Sequence, residues 1–239
     1  MDSIADIRAT LAALGTAERA TNEKRYLKSD LEFLGVKVPT IRREVRRWLK
    51  ARPEIGRAEL VALAHRLWQT RVHELRTFGA QALALRVGLL TAEDLALTEN
   101  LLRKANTWAH VDELSVRLAG SLVERFPAAG RAALDRWNRD DNFWLQRASL
   151  LALLIPLREG RGDWPRFSRY ADHLLEEKEF FLRKAIGWVL REASQKTPDK
   201  VAAWVRSRLD RMSGLTFREG TRRLPEEVQA ELKAAYAAR

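Results

Sequence analysis

The chain has 239 residues, with 43 Lys and Arg against 32 Asp and Glu and a formal net charge of +11. Hydrophobic residues make up 46% and charged residues 31%, a composition that builds a core and excludes a disordered chain. There is no cysteine, which excludes disulfide frameworks, Cys-ligated zinc, iron–sulfur clusters and thiol catalysis.

In chain order, MDSIADIRAT carries Asp2 and Asp6 and has no apolar signal core, so no secretory or transit peptide is expected. Val38-Pro39 and Phe126-Pro127 punctuate helix boundaries. Between Arg57 and Gln69 the apolar Leu60, Val61, Leu63, Ala64, Leu67 and Trp68 recur at helical spacing. The longest uncharged run, Ala148 to Leu157, is ten residues, contains Pro156 and is too short to span a bilayer. Phe180 to Arg191 repeats the helical pattern. Thr197 is expected to cap a helix begun by Pro198, whereas Leu224 before Pro225 is a poor cap. The chain reads as all-α.

NFWLQRASLLALL (142–154) aligns with EFFLRKAIGWVLR (179–191) at an offset of 37, and the same step back places Thr107 opposite Trp144, with Asp112 in the equivalent helix. Two helices per unit at this period indicate HEAT-like repeats. The expected architecture is a single repeat domain over residues 1–239, a curved α-solenoid whose equivalent helices line one concave wall and can converge on a long ligand.

The chemistry-bearing motifs are few. His65, His73, His110 and His173 lack metal-ligand spacing, and neither phosphate-binding glycine loops nor a nucleophile elbow occurs; no metal and no cofactor are expected. Arg42, Arg43, Arg46, Arg47, Lys50 and Arg52 crowd one helix, and Arg206, Arg208, Arg211, Arg218, Arg222 and Arg223 crowd the C-terminal region. One such residue taken singly fits a solvated face, but their sum makes nucleic acid the leading partner. Of eight Trp residues, Trp48, Trp68, Trp137 and Trp204 sit among apolar neighbours and read as core. Trp108 differs, because Asp112 lies one turn on along the same helix face. That carboxylate reads either as functional or as a helical Asp held by an Arg or a neighbouring cap.

The sequence also resembles the DNA alkylation repair family of HEAT-like bacterial glycosylases, the AlkD type. The resemblance runs from Tyr26-Leu27-Lys28 and Phe33-Leu34-Gly35-Val36-Lys37-Val38-Pro39 to Leu215-Thr216-Phe217-Arg218-Glu219. Its sharpest strings are Trp108-Ala109-His110-Val111-Asp112, Asn142-Phe143-Trp144-Leu145-Gln146-Arg147 and the segment from Lys178 to Glu192. It implies a monofunctional glycosylase that releases cationic N3- and N7-alkylpurines from double-stranded DNA. Asp112 matches the catalytic carboxylate, Trp108 and Trp188 the aromatic pair beside the lesion, and Arg147 the basic residue of the cleft. Tyr26, Lys28, Lys184, Arg218 and Arg222 are expected to contact DNA. Two positions depart from the family pattern, Thr107 where a second Trp is usual and Ala109 where an acid is usual; they bear on damage spectrum and efficiency.

The implied chemistry needs no cofactor. An N7-alkylpurine leaves as a neutral base, and a carboxylate opposite C1′ stabilises the oxocarbenium-like sugar and positions water. Lys184 as a Schiff-base nucleophile is the lyase variant. A non-catalytic HEAT module binding damaged DNA or a protein is the rival reading. The expected setting is a monomer in the bacterial cytoplasm, without membrane association and nucleoid-associated when bound to DNA.

Overall fold

The computed structural model describes residues 4–239. Among them there is no strand, only an isolated parallel bridge between Glu32 and Val72, and the all-α reading holds. Helices α1 (Ile4–Ala12) and α2 (Ala17–Leu27) precede a series of helix pairs. These begin with α3 (Val38–Lys50) and α4 (Arg57–Gln69), then α5 (His73–Leu85) and α6 (Asp94–Arg103). Helix α7 (Trp108–Glu113), a π-helical turn (Leu114–Ala119) and α8 (Gly120–Arg125) run on without a break, before α9 (Pro127–Asn138). Next come α10 (Phe143–Leu151) with the short α11 (Leu154–Arg158) and α12 (Trp164–Leu174), then α13 (Phe180–Ala193) with α14 (Pro198–Arg206), and α15 (Gly214–Thr221) with α16 (Glu226–Ala237). The chain divides into two compact units, one ending at Gly130 and the other spanning Arg131–Arg239.

The repeat is set by the helix starts. The first helix of each pair is preceded by Lys37, Val72, Thr107, Asn142, Glu179 and Ser213, so the steps are 35, 35, 35, 37 and 34 residues. The offset of 37 read from the sequence therefore belongs to a single step, and carrying it back misaligned the preceding helix by two residues. Thr107 pairs with Asn142, not with Trp144. Four of these N-cap side chains, on Thr107, Asn142, Glu179 and Ser213, accept a first-turn amide, which satisfies one of the orphan donors at a helix start. Thr197 does precede α14, but its hydroxyl instead donates to the Ala193 carbonyl at 3.1 Å.

Each unit has its own core. In the first, Ile41 and Val45 of α3, Leu63 and Leu67 of α4 and Leu75 and Leu83 of α5 are buried, each burial contributing roughly 1.5–3 kcal/mol. In the second, Trp137, Phe167, Leu182, Ile186 and Trp204 fill the equivalent role. Trp68, Trp137 and Trp204 are core as expected, but Trp48 is not. It is half-exposed, lies under the Arg52 guanidinium at 4.2 Å and lines a cavity of about 210 Å³ shared by α1, α3 and α5. Two features pin the segment between α2 and α3. Gly35 adopts φ 77°, and a Cβ there would lie 2.1 Å from the Thr16 carbonyl oxygen, so glycine is required on both counts. The buried Glu74 carboxylate accepts from the amides of Leu34, Gly35 and Val36 at 2.7–3.2 Å.

Helices α13 and α15 approach closely through glycine. A Cβ on Gly187 would lie 2.5 Å from Glu219 Cβ and 3.2 Å from the Thr216 carbonyl oxygen. Gly187→Ala must push α15 away, and we expect a loss of about 1–3 kcal/mol, measured by urea unfolding with an unchanged m-value. Unaltered stability would mean that the two helices are not held at this distance.

Candidate functional site

Helix α7 carries the central residues of the first unit. Thr107 stands at its N-cap, so Trp108 is the first helical residue and Asp112 follows one turn later on the same face, both half-exposed. Tyr26, the last but one residue of α2, is 71% exposed and meets Trp108 edge to face, with ring centroids 5.8 Å apart. Two residues that the sequence separates by four helices thus share one aromatic surface. Directly after Glu113 the helix widens into its π-helical turn, a feature that often accompanies functional sites. Glu113 lies beneath: Arg42 of α3 reaches it at 3.2 Å and Arg117 at 3.7 Å. Burial nevertheless raises the Glu113 carboxyl above its ordinary range, against the pull of both arginines.

The N-cap register puts the expected site residues into one series. Five residues past each N-cap stand Arg42, Thr77, Asp112, Arg147, Lys184 and Arg218, in which Asp112 is the only acid. One residue past the same caps stand Trp108, Phe143 and Phe180, so the Trp108–Asp112 pairing recurs as Phe143–Arg147 and Phe180–Lys184.

In the second unit this series is tied into the packing. Arg147 is buried, only 4% exposed; its Nη1 donates to the Phe181 carbonyl at 2.5 Å and its guanidinium lies 5.9 Å from the Phe181 ring. Lys184 donates to Glu219 at 2.7 Å, and Arg191 binds the other carboxylate oxygen of Glu219. The Lys184 hydrogen bond holds the Glu219 carboxyl below its ordinary range, with Arg191 and Arg222 adding to the effect. Trp188, one turn beyond Lys184, is half-exposed. Phe143, Trp144 and Phe181 cluster with centroids 4.3–6.4 Å apart, and Phe180 stands edge-on to Phe181 with 53% exposure.

The basic clusters separate into two kinds. In the C-terminal region Arg206 pairs with Glu231, Arg208 with Asp172, Arg211 with Glu176 and Arg223 with Glu192, so these four are engaged internally. Arg218 and Arg222 are exposed. Lys28 is exposed as well, at the end of α2 in the left-handed conformation with φ 47°. Sequence reasoning missed Glu113, Glu219 and the Tyr26 contact. For the two acids a signal lies in the N-cap spacing, since Glu113 and Glu219 each stand six residues past their caps. Among the described residues, no group of three or more His, Asp or Glu is arranged to hold a metal ion, and no helix is long and apolar enough to cross a membrane.

The model of the DNA alkylation repair enzyme family matches residues 7–224, and the chain belongs to that family. Its role therefore lies in the repair of alkylated DNA. The fold is shared with a predicted DNA alkylation repair enzyme from Enterococcus faecalis, 23% identical, with a TM-score of 0.79 over 89% of this chain and 97% of that one. It is also shared with AlkD2 from Streptococcus mutans, 18% identical, with a TM-score of 0.59 over 77% of this chain and 90% of that one. A search of curated proteins returned no match.

The division among the arginines is testable through salt dependence. Arg218→Ala with Arg222→Ala is expected to lower the slope of log K against log[salt] for duplex binding by one to two counterions, roughly 0.9 per lost phosphate contact. Arg206→Ala with Arg211→Ala is expected to leave it unchanged. Equal slopes for both pairs would contradict the distinction.

Proposed function

We propose that this protein is a monofunctional DNA glycosylase that hydrolyses the N-glycosidic bond of cationic N3- and N7-alkylpurines. The observation that carries this reading is the half-exposed Asp112 on the Trp108 face of α7, the single carboxylate in a series otherwise basic or neutral. A carboxylate in that company repels a phosphate backbone, and the charge it suits is positive. The alkylated base is a cation before bond cleavage, and the sugar becomes one during it.

On this reading the base needs no general acid, because it departs neutral. Asp112 stabilises the positive charge that develops at C1′ and orients the attacking water, and a fixed charge outside bulk water does this without reorganising. The Trp108 indole, supported by Tyr26, attracts the cationic nucleotide with roughly 0.5–2 kcal/mol. Trp188 offers a second indole face to the DNA, and the buried Arg147, with its guanidinium on the Phe181 carbonyl, orders the helices beside it. Lys28, Lys184, Arg218 and Arg222 hold backbone phosphates and fix the register without reading sequence. The reaction uses neither metal nor cofactor. The Lys184–Glu219 pair favours a phosphate-binding or structural role for this lysine over a Schiff-base nucleophile.

A duplex carrying one N7-methylguanine tests the proposal, with free base detected by chromatography. Wild type is expected to release it, and Asp112→Asn to slow release by at least about 100-fold while duplex affinity and thermal unfolding stay near wild type. Release by wild type and variant alike would remove Asp112 from the chemistry. No release by wild type, with tight binding retained, would leave a non-catalytic module that binds damaged DNA.

A further inference from the structure

Beneath α7 lies a column of four aromatic rings that the proposed chemistry does not use. Phe33 stacks on His73 at 4.6 Å, His73 on His110 at 4.4 Å, and His110 meets Trp68 at 5.2 Å. His110 belongs to α7 itself, two residues from Trp108 and two from Asp112. A two-residue step along a helix turns about 200°, so its side chain points inward while theirs face outward. It is 1% exposed, and its Nε2 lies 3.1 Å from the His73 carbonyl oxygen. A carbonyl only accepts, so Nε2 carries the proton and Nδ1 is the bare nitrogen. The Nδ1 atoms of both histidines are buried with no hydrogen-bond partner among the described residues.

Such a column tolerates neutral imidazoles only. A second proton would place N–H on a buried Nδ1 with no acceptor, beside another ring 4.4 Å away. The charged group facing the pair is Arg76 of α5, whose Nε donates to the Thr70 carbonyl at 2.8 Å and whose Nη1 donates to Asn106 at 2.6 Å. Asp30 is reached only through Asn106 at 3.4 Å. Glu74 is turned to the amides of Leu34, Gly35 and Val36, and on the π-helical side Glu113 is paired with Arg42 and Arg117.

We propose that His110 is a positioning residue for the site: as a neutral imidazole donating to the His73 carbonyl, it fixes the short helix that carries Trp108 and Asp112, and its protonation releases that helix. Helix α7 has six residues; Thr107 caps its start, Val111 is buried and Glu113 is held by Arg42 at its end, and the His110 bond to the His73 carbonyl ties its middle to α5. Burial and Arg76 lower His73 to about 4. Burial, with the charges of His73 and Arg76 adding and the bond to the His73 carbonyl opposing, lowers His110 well below its ordinary value. A folded value below the unfolded one means that the latch is complete above the ordinary histidine range and is lost as pH falls through the folded value.

The activity arm of the test rests on the glycosylase reading; the spectroscopic arm does not. His110→Phe keeps a ring in the column and removes the donor, whereas His110→Gln keeps a donor near the Nε2 position and cannot titrate. Single-turnover release of N7-methylguanine is expected to fall about 10- to 100-fold in His110→Phe at every pH, with duplex affinity unchanged. His110→Gln is expected to match wild type at pH 7.5 and to retain activity at acid pH where wild type has lost it. Protonation of Asp112 and of His73, which both proteins keep, gives a common acid limb, so the inference reads the difference between them. Nitrogen-15 NMR of the imidazoles is expected to report the Nε2–H tautomer for His110, with the Trp108 indole resonance shifting when that ring protonates. Identical acid limbs in wild type and His110→Gln, or a wild-type rate in His110→Phe, would overturn the inference. So would an Nδ1–H tautomer. If wild type releases no base, the glycosylase reading fails, and the tautomer and the coupled Trp108 shift still decide this inference.

Discussion

The start of the first helix in each pair is the point from which the side chains are placed. Because that start recurs every 34 to 37 residues, one residue past it and five residues past it are fixed positions, one helical turn apart on the same face. Repetition alone would give a uniform series. Here it is broken at a single place, where a carboxylate replaces a cation or a neutral group and an indole lies beside it. The helix around that break is also the one interrupted by a π-helical turn.

Other members of this series tie helices together. Arg147 spends its guanidinium on the Phe181 carbonyl, Lys184 on Glu219 and Arg42 on Glu113. Each joins its own helix to another; for the buried Arg147, removing the side chain would take a donor from the Phe181 carbonyl, at a cost of roughly 1–3 kcal/mol. A residue that binds a phosphate from such a position does so without first being ordered, and that preorganisation favours a rigid electrostatic site. The same economy limits the basic surface. Four of the C-terminal arginines neutralise acids of their own unit, and the positive charge left outward is narrower than composition alone suggests.

The helices, the Trp108–Asp112 pairing and the family were legible in the sequence, because helical periodicity and i,i+4 spacing are local. The repeat length was misread because the two most similar segments flank the one step of 37 residues, the step that contains the turn at Gly160, with φ 80°. Trp48 read as core because its neighbours are apolar, yet it lines a cavity instead. The burial of Arg147 and the pairing of Lys184 with Glu219 depend on the next helix pair. Nothing within one turn of either residue announces them.

The central claim is that Asp112 is complementary to positive charge on the sugar, and affinity for a charged sugar mimic tests it most directly. Two duplexes would be compared at fixed salt, one with a cationic pyrrolidine at the abasic position and one with a neutral tetrahydrofuran. The account predicts that wild type binds the cationic duplex at least about tenfold more tightly and that Asp112→Asn loses this preference while binding the neutral duplex as before. Equal affinity of wild type for both duplexes, or a preference that survives in Asp112→Asn, would contradict it.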